Sequence, residues 1–201
     1  MPEHASMLIK SAEKQGWDLV VIQAEWKGFG TKLIETYNYL KSHTEVERFV
    51  FADAFDVVVL GTEEEFEEKF PQEIDMIVSA ERGLWPPILH PFKSRYASEN
   101  NGYNYPNSGL YYSESWYFNY LFEKYPPFNE IDDQYWLNIC HLLENRIEID
   151  YSQKLFNSHS FISDGEYTYE NNRVQIMGNQ PIFIHFNGKT VDETFNERVK
   201  I

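Results

Sequence analysis

The chain has little cysteine and little positive charge. Cys140 is the only cysteine among 201 residues, so no disulfide can close within the chain and no cysteine-based zinc site can form. That usage suits a reducing compartment. Lys and Arg number 17 against 32 Asp and Glu, a formal net charge of −15. A surface this acidic repels nucleic-acid backbones unless a basic groove compensates, and no Lys/Arg cluster supplies one. Nucleic acid is therefore a weak candidate partner. No apolar stretch is long enough to span a bilayer, and no basic-then-apolar leader opens the sequence, so a cytoplasmic protein is expected. Aromatic residues, in contrast, reach 17%, too many for a disordered chain. The length suffices for one domain, 1–201, with a sizeable core.

Hydrophobic periodicity predicts alternating elements. Ala5, Leu8, Ile9 and Ala12 recur at helical spacing within Pro2–Gln15, and Gly16 supplies a stop. Leu19-Val20-Val21-Ile22 has the composition of a buried strand. A helix is expected from Thr31 to Ser42 and strands at Phe49–Ala52 and Val57–Leu60. An acidic helix Glu63–Phe70 and a strand Ile74–Ser79 follow. Between Glu81 and Asn104 the pattern dissolves among prolines, Asn and Ser, and long irregular segments of this kind are usually functional. Leu110–Tyr112 resumes a strand, Ser113–Tyr125 and Asp132–Leu143 read as helices, and Ile147–Ile149 and Ile182–Ile184 as short strands. The alternation indicates an α/β fold with a mixed sheet flanked by helices.

Five stretches could carry chemistry. Asp53 and Asp56 follow an apolar run; they are either turn and cap residues or hard ligands for Mg²⁺ or Mn²⁺ beside a diphosphate. His185 follows another apolar run and precedes Asn187-Gly188-Lys189. It is either a hydrogen-bonded core histidine or an ion ligand, with a turn whose amides and Lys189 favour an anion. An imidazole beside two carboxylates points to Mn²⁺ rather than Ca²⁺. Asp132-Asp133-Gln134 fits an ordinary helix start and equally a carboxylate pair that aligns or deprotonates a hydroxyl. Gly28-x-Gly30-x-Lys32 lacks the spacing of a phosphate-binding loop, although a lysine in a first helical turn can reach an anion. Asn107-Ser108-Gly109 reads as a turn that lets a sugar approach the backbone. Trp85 reads as a loop anchor or as an aromatic that closes over a sugar.

The order of these motifs, with Ser79-Ala80-Glu81 and Trp85-Pro86 between them, resembles the glycosyltransferase domain of the procollagen lysyl hydroxylase (PLOD) family from about Lys10 to Lys189. The resemblance implies a GT-A-like (Rossmann-like) fold that uses a UDP-sugar and Mn²⁺ (or Mg²⁺). It implies Asp53, Asp56 and His185 as metal ligands, and Phe55 where the family has an aromatic near the nucleobase. Asp53, Lys32, Gly188 and Lys189 would serve as nucleotide and phosphate contacts. Asp132 and Asp133 would form the acidic catalytic cluster, with Trp85 and Asn107 lining the active site. The sequence departs from the family in a shorter stretch after His185, in an acidic cluster reduced to two Asp, and in the absence of the usual apolar first strand. A partner segment or a second copy of the chain is expected to fill that strand's place. The expected activity is transfer of glucose or galactose from a UDP-sugar to the hydroxyl of a glycan, protein or other acceptor. A catalytically silent nucleotide- or glycan-binding module is the alternative, and a metal-dependent phosphoesterase a more distant one.

Overall fold

The computed structural model describes residues 6–71, 73–99, 101–159, 165–170 and 173–187. Its helices are α1 (Ser6–Gln15), α2 (Gly30–Ser42), α3 (Glu63–Lys69), α4 (Ser115–Lys124) and α5 (Asp133–Leu143). Its strands are β1 (Arg48–Ala52), β2 (Val57–Val59), β3 (Met76–Glu81), β4 (Tyr105–Glu114), β5 (Ile147–Asp150), β6 (Phe156–Ser158), β7 (Tyr167–Glu170), β8 (Arg173–Ile176) and β9 (Phe183–His185). A 3₁₀ segment, Pro87–Arg95, occupies the middle of the stretch that sequence alone leaves irregular.

The central sheet has the order β1-β4-β3-β5. Both β1 and β3 pair antiparallel with β4, and β5 is parallel to β3, so the sheet is mixed. Side chains on a strand alternate faces, and here both faces are buried. Met76, Val78, Ala80 and Tyr111 pack with Leu33 of α2, Phe118 and Leu121 of α4, and Trp136 and Leu137 of α5. Ile77, Leu110 and Tyr112 face the other way, toward Leu8 and Ala12 of α1, Phe66 of α3 and the second sheet. That smaller sheet has the order β2-β9-β6. A β7-β8 hairpin completes the described strands. Helix α3 starts with a capping box: Thr62 accepts from the Glu65 amide and Glu65 accepts from the Thr62 amide.

Three expectations need correction. Leu19–Ile22 is not a strand. Val20, Val21 and Ile22 are exposed in an extended stretch without regular structure, because an apolar run needs a neighbouring strand to complete its hydrogen bonds. Asn107-Ser108-Gly109 is not a turn but part of β4, which runs ten residues and shifts register opposite Val78/Ser79. Such a bulge re-aims side chains next to a site. Ser113 and Glu114 end β4 rather than starting α4.

Candidate metal centre and active site

Because β1 and β3 run the same way and β4 runs opposite, the residue after β1, the end of β3 and the start of β4 share one sheet edge. Ligands in open α/β sheets bind outside the carboxyl ends of the strands. Asp53 follows β1, and its amide donates to the Gly109 carbonyl at 2.9 Å. A turn carries the chain to Asp56, whose carbonyl accepts from the Phe186 amide at 2.7 Å. Next, Val57 stands opposite His185 in the β2–β9 register. These backbone bonds set the Asp53–Asp56 corner against the end of β9. His185 Nε2 lies 3.3 Å from Asp56 Oδ2 and 3.7 Å from Asp53 Oδ2.

Among the described residues, Asp53, Asp56 and His185 form a group whose ligand atoms all lie within 4.8 Å of one another. Two carboxylate oxygens and one imidazole nitrogen suit a divalent ion such as Mn²⁺ better than Ca²⁺, which prefers an all-oxygen shell. The surroundings also fit an ion ligand. His185 is buried, and its ring fills the space where a Cβ on Gly109 would stand, 2.1 Å from the ring's Cε1. Only glycine admits the ring there.

Behind His185 lies a wall of buried polar side chains. Its Nδ1 is 2.8 Å from Asn107 Oδ1, which also accepts from the Gly109 amide at 3.0 Å. Asn107 Nδ2 donates to Gln134 Oε1 at 3.2 Å, and Gln134 donates in turn to Glu81 Oε1. Asn187, just after β9, donates to Glu81 Oε2 at 3.0 Å. The sequence offers Gln134 within the Asp132-Asp133-Gln134 stretch and Glu81 only as a motif residue; it does not reveal the network that joins them to Asn107. The signal for Glu81 is an acid at the end of a buried apolar strand, where a carboxylate is seldom fully buried unless paired.

Lys32 joins two halves of the site. Its ammonium lies 2.8 Å from Asp53 Oδ1 and 2.7 Å from Asp133 Oδ2. Burial alone would pull its pKa down, but the charges of Asp53 and Asp133 win and hold it well above the usual lysine range. The glycines before it serve backbone contact. A Cβ on Gly28 would lie 2.2 Å from the Asn129 carbonyl oxygen, and one on Gly30 2.1 Å from that of Phe128. The Gly30 amide donates to Asn129 O at 3.0 Å. This close approach docks the start of α2 on the loop before α5, and so brings Lys32 to Asp133.

Asp132 caps α5: its Oδ1 accepts from the Tyr135 amide at 2.8 Å, while Oδ2 accepts from the Trp85 indole at 3.1 Å. Asp133 is buried in the first turn. Trp85 is 53% exposed and Phe55, between the two Asp, 59%. The expected contacts Gly188 and Lys189 lie outside the described residues. Of the remaining expected site residues, Asp53, Asp56, His185, Asn107, Lys32 and Asp133 are linked by these contacts. Asp132 and Trp85 join them at the start of α5.

The sequence profile of the family described as the PLOD GT domain matches residues 10–197. No curated protein sequence matches significantly. Among solved structures, the chain is similar to a glycosyltransferase involved in glycosylation of the major capsid of PBCV-1. The two share 10% identity, 98% of this chain and 88% of that one are covered, and the TM-score is 0.52. At that identity the likeness shows the fold, a GT-A-type α/β fold. No described helix is long and apolar enough to cross a membrane.

Proposed function

The chain belongs to the PLOD GT domain family, and on that premise we propose that it is a metal-dependent transferase that moves a hexose, glucose or galactose, from a UDP-sugar to an acceptor hydroxyl. The observation that carries this reading is the convergence of Asp53, Asp56 and His185 within 4.8 Å. These three residues would hold Mn²⁺ or Mg²⁺. When bound, the ion supplies positive charge against the diphosphate that departs with UDP.

The residues of the chain divide the remaining work. Lys32, kept charged by two carboxylates, adds positive charge beside Asp53 and fixes α5 against the sheet edge. With Asp133 committed to Lys32 and buried, Asp132 is the better candidate base. Its Oδ2 faces the exposed Trp85, and a carboxylate oxygen can accept more than one hydrogen bond. In the transfer, the acceptor oxygen forms a bond to C1 of the hexose, the bond from C1 to the diphosphate oxygen breaks, and the acceptor proton passes to Asp132. Trp85 closes over the sugar and limits water. Phe55 offers an exposed ring to the nucleobase. Gly188 and Lys189 are assigned to the phosphates by their place in the family pattern.

The test is UDP release with Mn²⁺ over a panel of UDP-sugars and hydroxyl acceptors. Asp56→Ala should fold as wild type and lose about 100-fold or more of the turnover, since even outer partners of a metal ligand are worth 10–100-fold. Full activity in Asp56→Ala would eliminate the metal role. Binding of UDP with no turnover toward any acceptor would favour the silent binding module.

A further inference from the structure

We propose that Asn107 is a positioning residue of the cation site: it commits the His185 ring to the tautomer protonated on Nδ1 and leaves the Nε2 lone pair facing Asp53 and Asp56. This inference rests on the reading of those three residues as ligands, and it assigns a role to a residue outside the ligand set.

A backbone amide can only donate, and the Gly109 amide lies 3.0 Å from Asn107 Oδ1. That end of the Asn107 side chain is therefore the oxygen. At the far end of the network a carboxylate can only accept. Glu81 takes the Gln134 amide N–H, which turns Gln134 Oε1 toward Asn107 Nδ2 at 3.2 Å. Two separate anchors thus fix the same orientation of the Asn107 amide.

His185 Nδ1 sits 2.8 Å from the Asn107 oxygen, so Nδ1 carries the proton and donates. In a neutral imidazole the other nitrogen is then the acceptor. That nitrogen, Nε2, faces Asp56 Oδ2 at 3.3 Å and Asp53 Oδ2 at 3.7 Å. In the opposite tautomer Nε2 would carry a proton, and no lone pair would face the site. Glu81 also takes Asn187 Nδ2 at 3.0 Å, so one carboxylate braces both α5 and the chain just after His185. Partners of this kind set ring orientation and basicity in metal sites.

The experiment pairs two readouts at pH 8: ¹⁵N NMR of the histidine rings in ion-free protein, which distinguishes the tautomers, and calorimetric titration with Mn²⁺. Wild type should show His185 protonated on Nδ1. Asn107→Ala should populate the Nε2-protonated ring and bind Mn²⁺ about 10–100-fold more weakly. Asn107→Asp keeps an acceptor oxygen and should retain the wild-type tautomer, with affinity inside the lower bound of that range. A folded Asn107→Ala with unchanged tautomer and affinity overturns the proposal. If Asn107→Ala does not fold, the other two proteins decide: a ring protonated on Nε2 but not on Nδ1 in wild type or in Asn107→Asp overturns it. A wild-type chain with the Nδ1 tautomer that binds no Mn²⁺ overturns the ligand reading and leaves the tautomer assignment standing. An Nε2-protonated ring in a chain that does bind Mn²⁺ has the opposite meaning.

Discussion

The inner wall of the site and its outer rim are built in opposite ways. Glu81, Asn107, Gln134 and His185 in the wall are buried, and each is hydrogen-bonded to the next. At the rim, Phe55 and Trp85 are more than half exposed. A buried polar network is stabilising only when fully partnered, and it then permits a single arrangement. Exposed rings cost little to move and offer apolar faces to a ligand. Under the proposed function, the wall would set the orientation of His185 before any ion arrives, and the rim would adapt to what is bound. Substitutions in the wall should therefore change ion affinity and stability together, whereas rim substitutions should change substrate affinity alone.

Gly109→Ala should have the largest effect. Its Cβ would stand 2.1 Å from the buried His185 ring, which has no solvent to swing into. Overpacking of this kind costs about 1–3 kcal/mol. Because the ring itself must shift, Mn²⁺ affinity measured by calorimetry should fall by up to about 100-fold, the factor that 3 kcal/mol represents. An unchanged affinity would show that the wall does not set the ligand geometry.

Lys32→Met comes next. It leaves Asp53 and Asp133 without their shared cation. Breaking a fully buried pair costs about 3–5 kcal/mol. With the Lys32 and Asp53 side chains 20% and 22% exposed, the loss should fall below that range. Urea denaturation should record it as a lower midpoint, and loss of turnover should accompany it.

Phe55→Ala should be the mildest. An exposed side chain contributes within about 0.5 kcal/mol to stability, so the unfolding midpoint should stay put. Loss of ring stacking, about 0.5–1.5 kcal/mol, should raise KM for the UDP-sugar by a factor of about 2–10 with kcat little altered. A large fall in stability would place Phe55 with the wall and erase the contrast.

The wall and rim also differ in how far the sequence revealed them. The apolar runs beside Asp53, Asp56 and His185 are legible because β2 and β9 are fully buried and the edge strand β1 packs its partly buried side chains against both cores, and continuous apolar runs mark such strands. The start of α5 is legible because Asp at a helix N-cap is a local signal. Local signals fail where the deciding partner is remote. Leu19–Ile22 has the composition of a strand, yet among the described residues it belongs to no sheet. Asn107-Ser108-Gly109 has turn composition, but Asn107 pairs with Ser79 of β3 and the next two residues lie in a bulge within β4 rather than a turn. Gly28 and Gly30 lack the spacing of a phosphate-binding loop, and what they serve, close approach to the backbone of Phe128 and Asn129, lies far along the chain. The link from Glu81 through Gln134 to Asn107 is not legible because a hydrogen-bond network among side chains on β3, β4 and α5 has no signature in any one segment.

The central claim is that Asp53, Asp56 and His185 grip one cation. Diffraction at the manganese edge, from crystals grown with Mn²⁺ and UDP, addresses it directly. The expected result is an anomalous peak bounded by the two carboxylates and His185 Nε2, with the UDP diphosphate beside it. Anomalous density only elsewhere, for example along Glu63, Glu64, Glu67 and Glu68 on α3, with Lys32 still bridging Asp53 and Asp133 and no ion at His185, would contradict the account.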